Sequence, residues 1–226
     1  MTNELLFILH SCLVSIATLI GLYISSHALI VLICMYCLLA NIFVIKQITL
    51  FGFNATASDV FTIGATFGLN MLQEYYGKKV TKETININFF ILVLYVILST
   101  IHLYYKPSPF DDTHLHFYHI FAHTPRIITA SVIVYYTAQM IDYYVYSLLR
   151  RYWMHRFLII RNILSTLLSQ LYDTIAFSLL GLYGIVEHIE QVIVISYSIK
   201  IVAIILTTPW ILISRYLVQK RKGGNM

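Results

Sequence analysis

The residues with most chemistry to offer are two copies of Gln-x-x-Asp, Gln139 to Asp142 and Gln170 to Asp173. At helical spacing each copy sets an amide and a carboxylate one turn apart on a shared face. A carboxylate accepts two adjacent N–H donors in a bidentate grip, and an amide supplies both a donor and an acceptor. Each copy is therefore equipped to hold a polar, planar ligand. The recurrence is compatible with an internal repeat, although four-residue coincidences also arise without one.

These residues sit in a chain built for hydrocarbon. Of its 226 residues 59% are hydrophobic and 11% charged, which excludes an ordinary soluble domain. Apolar windows long enough to span a bilayer fall at about 5–25, 27–48, 58–77, 85–105, 126–149, 157–184 and 190–217. The expected fold class is all-α, a polytopic membrane helical bundle forming a single transmembrane domain over residues 1–226. The first window lacks a basic flank and a small-x-small cleavage site, so it is expected to be retained. A net charge of +5 raises nucleic acid as a partner, but the cations gather in short loops and in the tail, which argues against it.

Those cations orient the chain. Lys78, Lys79 and Lys82 follow the third window, Arg150, Arg151 and Arg156 the fifth, and Lys220, Arg221 and Lys222 the seventh. By the positive-inside rule these ends are cytoplasmic. Asp111 and Asp112 after the fourth window and Glu187, His188 and Glu190 after the sixth then face outward. Seven spans with a cytoplasmic C-terminus place the N-terminus outside.

Charges at membrane depth cost from about 2.5 to more than 10 kcal/mol and so face a cavity or a partner. At 100° per residue Ser131, Tyr135, Gln139 and Asp142 share one face of the fifth window. Asn162, Thr166, Ser169 and Asp173 share one face of the sixth, with Gln170 at its edge, and Asp59, Thr66, Asn70 and Glu74 form a stripe on the third. The fourth window has almost no polar residue in its middle and is expected to face lipid. Counted from the outer ends, Asp173 and Lys200 lie level, at about 15 Å depth, so an ion pair between them is expected, direct or through a ligand. Asp142, Glu74 and Arg161 lie nearer the cytoplasm as a second charged layer. Polar stripes also serve as interhelical glue, a reading that stays open for Ser131, Ser165, Thr166 and Ser169 but is weaker for Asp142, Asp173 and Lys200. Arg126 fits an interfacial anchor as well as a functional role.

The order of these residues resembles a known family. LNMLQEYYGKK (69–79), RIITASVIVYYTAQMID (126–142), RNILSTLLSQLYDTIAF (161–177) and YSIK (197–200) together are similar to the queuosine precursor transporters, membrane proteins of the vitamin-uptake-like group. The resemblance spans about 27–218 and makes the first helix an addition to a six-helix core. It implies a core similar to the substrate-binding components of energy-coupling-factor transporters, no cofactor, and import of 7-deazaguanine bases across the cell inner membrane. Carried over by position are Glu74, Tyr76, Gly77, Arg126, Ser131, Gln139, Asp142, Arg161, Asn162, Ser165, Gln170, Asp173, Thr174 and Lys200. Many relatives have Asp where Asn70 stands.

The expected substrate-binding set is Asp173, Gln170, Lys200, Asp142, Gln139, Asn162, Ser165, Ser131 and Asn70, with Glu74, Arg161 and Arg126 for gating or coupling. A deazaguanine offers N1–H and an exocyclic NH2 side by side to a carboxylate, and an O6 to an amide or ammonium. Stacking faces are plentiful among 18 Tyr and 13 Phe. The expected partners are this nucleobase, the lipid bilayer and, as an open option, a second copy of the chain. A structural or regulatory membrane subunit, or the binding component of a multi-subunit vitamin transporter, remains as the alternative. An enzyme is not expected: no phosphate-cradling glycine loop, metalloprotease helix or nucleophile elbow occurs.

Two weaker features complete the inventory. His102, His114, His116, His119 and His123 crowd one outward loop, where metal binding competes with a plain interfacial segment or short helix over the cavity. Cys34 and Cys37 form C-x-x-C inside a span and, with Cys12, fit small buried hydrophobes better than a redox or zinc motif.

Overall fold

The computed structural model describes residues 2–44, 46–56, 58–121, 125–153, 156–184 and 189–223. Its helices are α1 (Asn3–Ile24), α2 (Ser26–Phe43), α3 (Asp59–Tyr75), α4 (Lys78–Leu103), α5 (His114–Phe121), α6 (Pro125–Trp153), α7 (Leu158–Phe177) and α8 (Ile189–Gly223), with a π-helical turn, Ser178–Leu182, continuing α7. The seven long helices match the seven apolar windows, and α5 is the short helix left open for the histidine-rich loop. It lies against α4, with Tyr95 and His102 meeting Phe121 and Phe117 edge-on.

One expectation is corrected. The second window does not stay helical to residue 48: α2 ends at Phe43, and Gln47–Leu50 (β1) pairs antiparallel with Phe53–Thr56 (β2). The two-residue loop has positive φ at both Phe51 (51°) and Gly52 (82°), the I′-type turn that a right-twisted hairpin demands. Glycine supplies this at no steric cost, and the strained Phe51 is held by its N–H, which donates to Glu4 Oε1 at 3.2 Å. Asn3 Nδ2 donates to the Thr49 carbonyl at 3.0 Å, so the hairpin lies at the amino-terminal end of α1.

Five helical stretches, in α1, α2, α4, α7 with its π turn, and α8, are long and apolar enough to cross a membrane by themselves. The other two long helices are α3 and α6. Helix α3 is the least exposed in the bundle: 13 of its 17 residues are buried, ringed by α1, α2, α4, α6, α7 and α8. A helix shielded by other helices meets little lipid and can carry polar side chains that a lipid-facing helix cannot. Close approach is enforced by Gly64 and Gly68, one turn apart. A Cβ on Gly64 would lie 2.2 Å from Val14 Cγ1 of α1, and one on Gly68 2.8 Å from Ile33 Cγ1 of α2. At the C-terminal end of α3, called the inner end after the orientation expected from the loop charges, Gly77 adopts φ 95° and ψ 169°, a region open to glycine alone, and turns the chain directly into α4.

Helix α4 turns Ile87, Phe90, Leu94 and Ile97 outward, as expected of a lipid-facing helix. Its other face buries Asn88, whose Nδ2 donates to Cys37 Sγ at 2.8 Å and to Tyr135 Oη at 3.0 Å. Cys37 is thus a buried polar contact between α2, α4 and α6, while Cys34, three residues before it, is buried and forms no disulfide.

Candidate functional site

Polar side chains of α3, α6, α7 and α8 stack in three layers through the bundle. At the inner end Glu74 of α3 gathers cations from two helices. Arg161 Nη2 of α7 lies 3.2 Å from both carboxylate oxygens, Tyr146 Oη of α6 donates at 2.9 Å, and Arg150 Nε of α6 stands at 3.5 Å. The Arg161 side chain is fully buried, with its guanidinium 5.5 Å from the Tyr146 ring centre. Arg150 also donates to the Gln73 and Glu74 carbonyls at 2.6 and 3.2 Å, satisfying orphan acceptors at the end of α3. Gln73 Nε2 donates to Ser147 Oγ at 2.6 Å, and Tyr75 Oη lies 2.8 Å from Ser214 Oγ of α8. One helix end is therefore latched to three others.

The middle layer centres on Thr66 of α3. Its Oγ accepts Gln139 Nε2 of α6 at 3.2 Å and Gln170 Nε2 of α7 at 3.4 Å, and donates to the Thr62 carbonyl at 3.1 Å. One turn inward, Asn70 Nδ2 donates to Thr166 Oγ1 at 3.2 Å and reaches Ser165 Oγ at 3.5 Å. The Asp142 carboxyl lies within this group, taking Ser169 Oγ at 3.3 Å, with Ser165 and Asn70 also against it. Three amide oxygens here, Asn70 Oδ1, Gln139 Oε1 and Gln170 Oε1, are buried with no hydrogen-bond partner, as is Asn162 Nδ2 below them. Turning an amide over exchanges its unpaired oxygen for an unpaired NH2. The unmet capacity persists in either orientation.

The outer layer is ionic. Lys200 Nζ of α8 contacts Asp173 Oδ2 of α7 at 2.5 Å, the pair expected from their matching depths. Asp59, the first residue of α3, is buried and within electrostatic reach of both. It lay on the α3 stripe in sequence but outside the candidate set, as did Thr66. A carboxylate opening a helix suggests an N-terminal cap, and only the packing of α3 against α7 and α8 reveals its ionic neighbours.

The structure thus brings Asn70, Gln139, Asp142, Ser165 and Gln170 into one buried group, which Asn162 joins through its backbone carbonyl, accepting Ser165 Oγ at 3.2 Å, with Asp173 and Lys200 on its outer side and Glu74 and Arg161 on its inner side. Two candidates stand apart. Ser131 Oγ donates to Asn41 Oδ1 of α2 at 3.0 Å and lines a separate cavity with Tyr95, Ser99, Phe121 and Phe177. Arg126 Nε donates to the Leu180 carbonyl at 2.8 Å, supporting the π turn. Thr174 returns its hydroxyl to the Gln170 carbonyl at 2.8 Å. Asn88, Gln73 and Tyr146 have no signal in sequence beyond polarity, and Arg150 reads there only as one of the loop cations that orient the chain. Among the described residues no three His, Cys, Asp or Glu side chains gather as metal ligands; His123, Glu187 and His188 lie outside the described residues.

Residues 56–214 match the family model described as "Putative vitamin uptake transporter". A curated protein of Bacillus subtilis (strain 168), named "Probable queuosine precursor transporter", is 29% identical over 174 residues, which is 76% of each chain. No solved structure matches. The matched region takes in every residue of the three layers, from Asp59 to Lys200, together with the helices that carry them. This multi-pass membrane chain belongs to the vitamin uptake transporter family.

Proposed function

We propose that the chain imports 7-deazaguanine bases, the free-base precursors of queuosine, across the cytoplasmic membrane. The observation that carries the reading is the middle layer: three unpaired amide oxygens and a carboxylate, all buried, around one threonine. Leaving a buried acceptor unpaired costs about 1–3 kcal/mol. A ligand with several N–H donors at its edge recovers that cost, and a deazaguanine base has such donors at N1, at the exocyclic amine and at the ring nitrogen that a nucleoside would block. The name of the Bacillus relative points to the same class of cargo.

In this mechanism Asp142 accepts N1–H and the exocyclic NH2 together, and Gln139, Gln170 and Asn70 take the remaining donors or turn to donate to O6. Ser165, Ser169 and Asn162 orient these groups. The Lys200–Asp173 pair bounds the ligand on the outer side, where Lys200 is the second group suited to O6. The Glu74–Arg161 latch closes the inner exit and must part for release, and Ser131 and Arg126 lie toward the entrance. The basic turns after α3 and α6 and the basic tail face the cytoplasm, so the C-terminus is cytoplasmic and Asp59 lies on the outer half.

The test is uptake of labelled queuine, against its cyano and aminomethyl precursors, by cells that lack both queuosine synthesis and a carrier of their own. Expression of the chain is expected to confer uptake. Asp142→Asn removes a charge-assisted double acceptor, about 1.5–3 kcal/mol, and is expected to lower uptake about 10- to 100-fold with membrane insertion unchanged. Unaltered uptake in that variant rejects the residue assignment. No uptake by the inserted wild-type chain rejects the function in favour of a structural subunit.

A further inference from the structure

We infer that Asp59 is the coupling group of a proton-driven cycle, a role that rests on the transport reading. The outer layer holds two carboxylates and one ammonium, contributed by α3, α7 and α8. Lys200 neutralises one carboxylate, and its contact is with Asp173 at 2.5 Å. With all three ionised the layer carries a net charge of −1. Asp59 and Lys200 are both buried among the helices, so this charge lies inside the bundle and away from bulk water. An uncompensated charge in that setting is unfavourable. One further positive charge completes the layer.

A proton suits the place better than a metal ion. It adds to a single Asp59 oxygen, leaving a neutral carboxylic acid, whereas a metal cation would stand within the field of the fixed Lys200 ammonium. The charged and titratable groups on the elements packed around α3 leave the assignment clear. They include Lys200 on α8, Asp173 and Arg161 on α7, Asp142 and Arg150 on α6, Glu4 and His10 on α1, and Tyr36 on α2, while the lysines of α4 (Lys78, Lys79 and Lys82) stand at the opposite end of α3, beyond Gly77. Glu4 is engaged by the hairpin at Phe51, His10 packs on the Phe61 ring, and Arg161 and Arg150 serve Glu74 at the far end of the helix. Lys200 and Asp173 are the two that act on Asp59.

The layer is also placed to sense cargo. Gln170, with an unpaired buried oxygen, stands one helical turn from Asp173 on α7. A base drawing on Gln170 shifts the same turn that holds the Lys200 pair, and release of Lys200 toward Asp59 expels the proton. In the cycle a proton from the outer water bonds to a carboxylate oxygen of Asp59 and returns to water on the inner side, one per base carried.

The experiment uses the full chain in proteoliposomes with labelled queuine. An outside-acid gradient is expected to drive accumulation, up to about tenfold for each pH unit at one proton per base. Asp59→Asn is expected to lose that accumulation while keeping queuine-for-queuine exchange at zero gradient, and Asp59→Glu to keep both. Wild-type accumulation that ignores the proton gradient, or that a sodium gradient drives instead, overturns the inference and leaves the transport reading standing. Accumulation that survives Asp59→Asn also overturns it. So does loss of exchange along with accumulation in that variant, which would make the residue part of translocation itself. Absence of any wild-type exchange overturns the transport reading and this one with it.

Discussion

Glu74→Gln is expected to destabilise the protein by about 3 kcal/mol, the lower end of the range for removing one partner of a buried ion pair. The figure follows from burial. Arg161 has no exposed side-chain surface, so without the carboxylate it retains a full charge in a dry setting, whereas Arg150, at 25% exposure and 3.5 Å, is partly screened and adds less. In a chain of this length about 3 kcal/mol lowers the midpoint of thermal unfolding by roughly 6–12 °C. Fluorescence-detected size-exclusion of heated, detergent-solubilised samples measures it. The double variant Glu74→Gln, Arg161→Met removes both charges and is expected to recover most of the loss, giving a coupling energy of about 2 kcal/mol. Single losses that simply add in the double variant would refute the claim that Arg161 depends on Glu74. Under the proposed transport cycle, in which the latch closes the inner exit, the same two substitutions should raise labelling of cysteines placed at the inner end of α7.

Gly64→Ala is expected to cost about 1–3 kcal/mol despite alanine's better helix propensity, since its methyl would meet Val14 Cγ1 at 2.2 Å; Val14→Ala in the same chain should rescue the unfolding temperature. The turn between α4 and α5 should respond to acid. Asp111 accepts the Thr113 N–H at 2.8 Å and hydroxyl at 2.6 Å, and these bonds hold its carboxyl below the ordinary 3.8. A lowered carboxyl stabilises the turn above the unfolded value, and that contribution fades as pH falls from 3.8 through the lowered value. Protection of the amides at residues 111–114, taken relative to the intrinsic exchange rate at each pH, should therefore fall on that acid limb, and Asp111→Asn should abolish the step.

Much of this protein is legible in one dimension because the bilayer is a severe solvent. Apolar length marks five of the seven long helices by itself and, with their polar stripes allowed for, α3 and α6 as well, and charge in the loops supplies an expected orientation. Depth counted along a helix pairs Asp173 with Lys200, because both face the same problem of carrying a charge through hydrocarbon. The Gln-x-x-Asp repeats in α6 and α7 locate the two helices that supply most of the polar network. Periodicity has no such power over the hairpin at residues 47–56, where a four-residue strand and a helix end look alike until the Phe51–Gly52 turn is seen.

Other features belong to the tertiary structure. Ser131 and Asp142 lie almost on one line along α6, yet one meets Asn41 on α2 and the other Ser169 on α7, because a 29-residue helix crosses different neighbours along its length. Asp59 and Thr66 read in sequence as members of one polar stripe on α3; Asp59 proves to be a third ionic partner, and Thr66 proves to be where two glutamines meet. The chain's order determines which residues must avoid lipid, since that cost is paid residue by residue. Which of them meet is decided by how α3 is enclosed, since a hydrogen bond or an ion pair depends on ångström distances between helices that no single helix encodes.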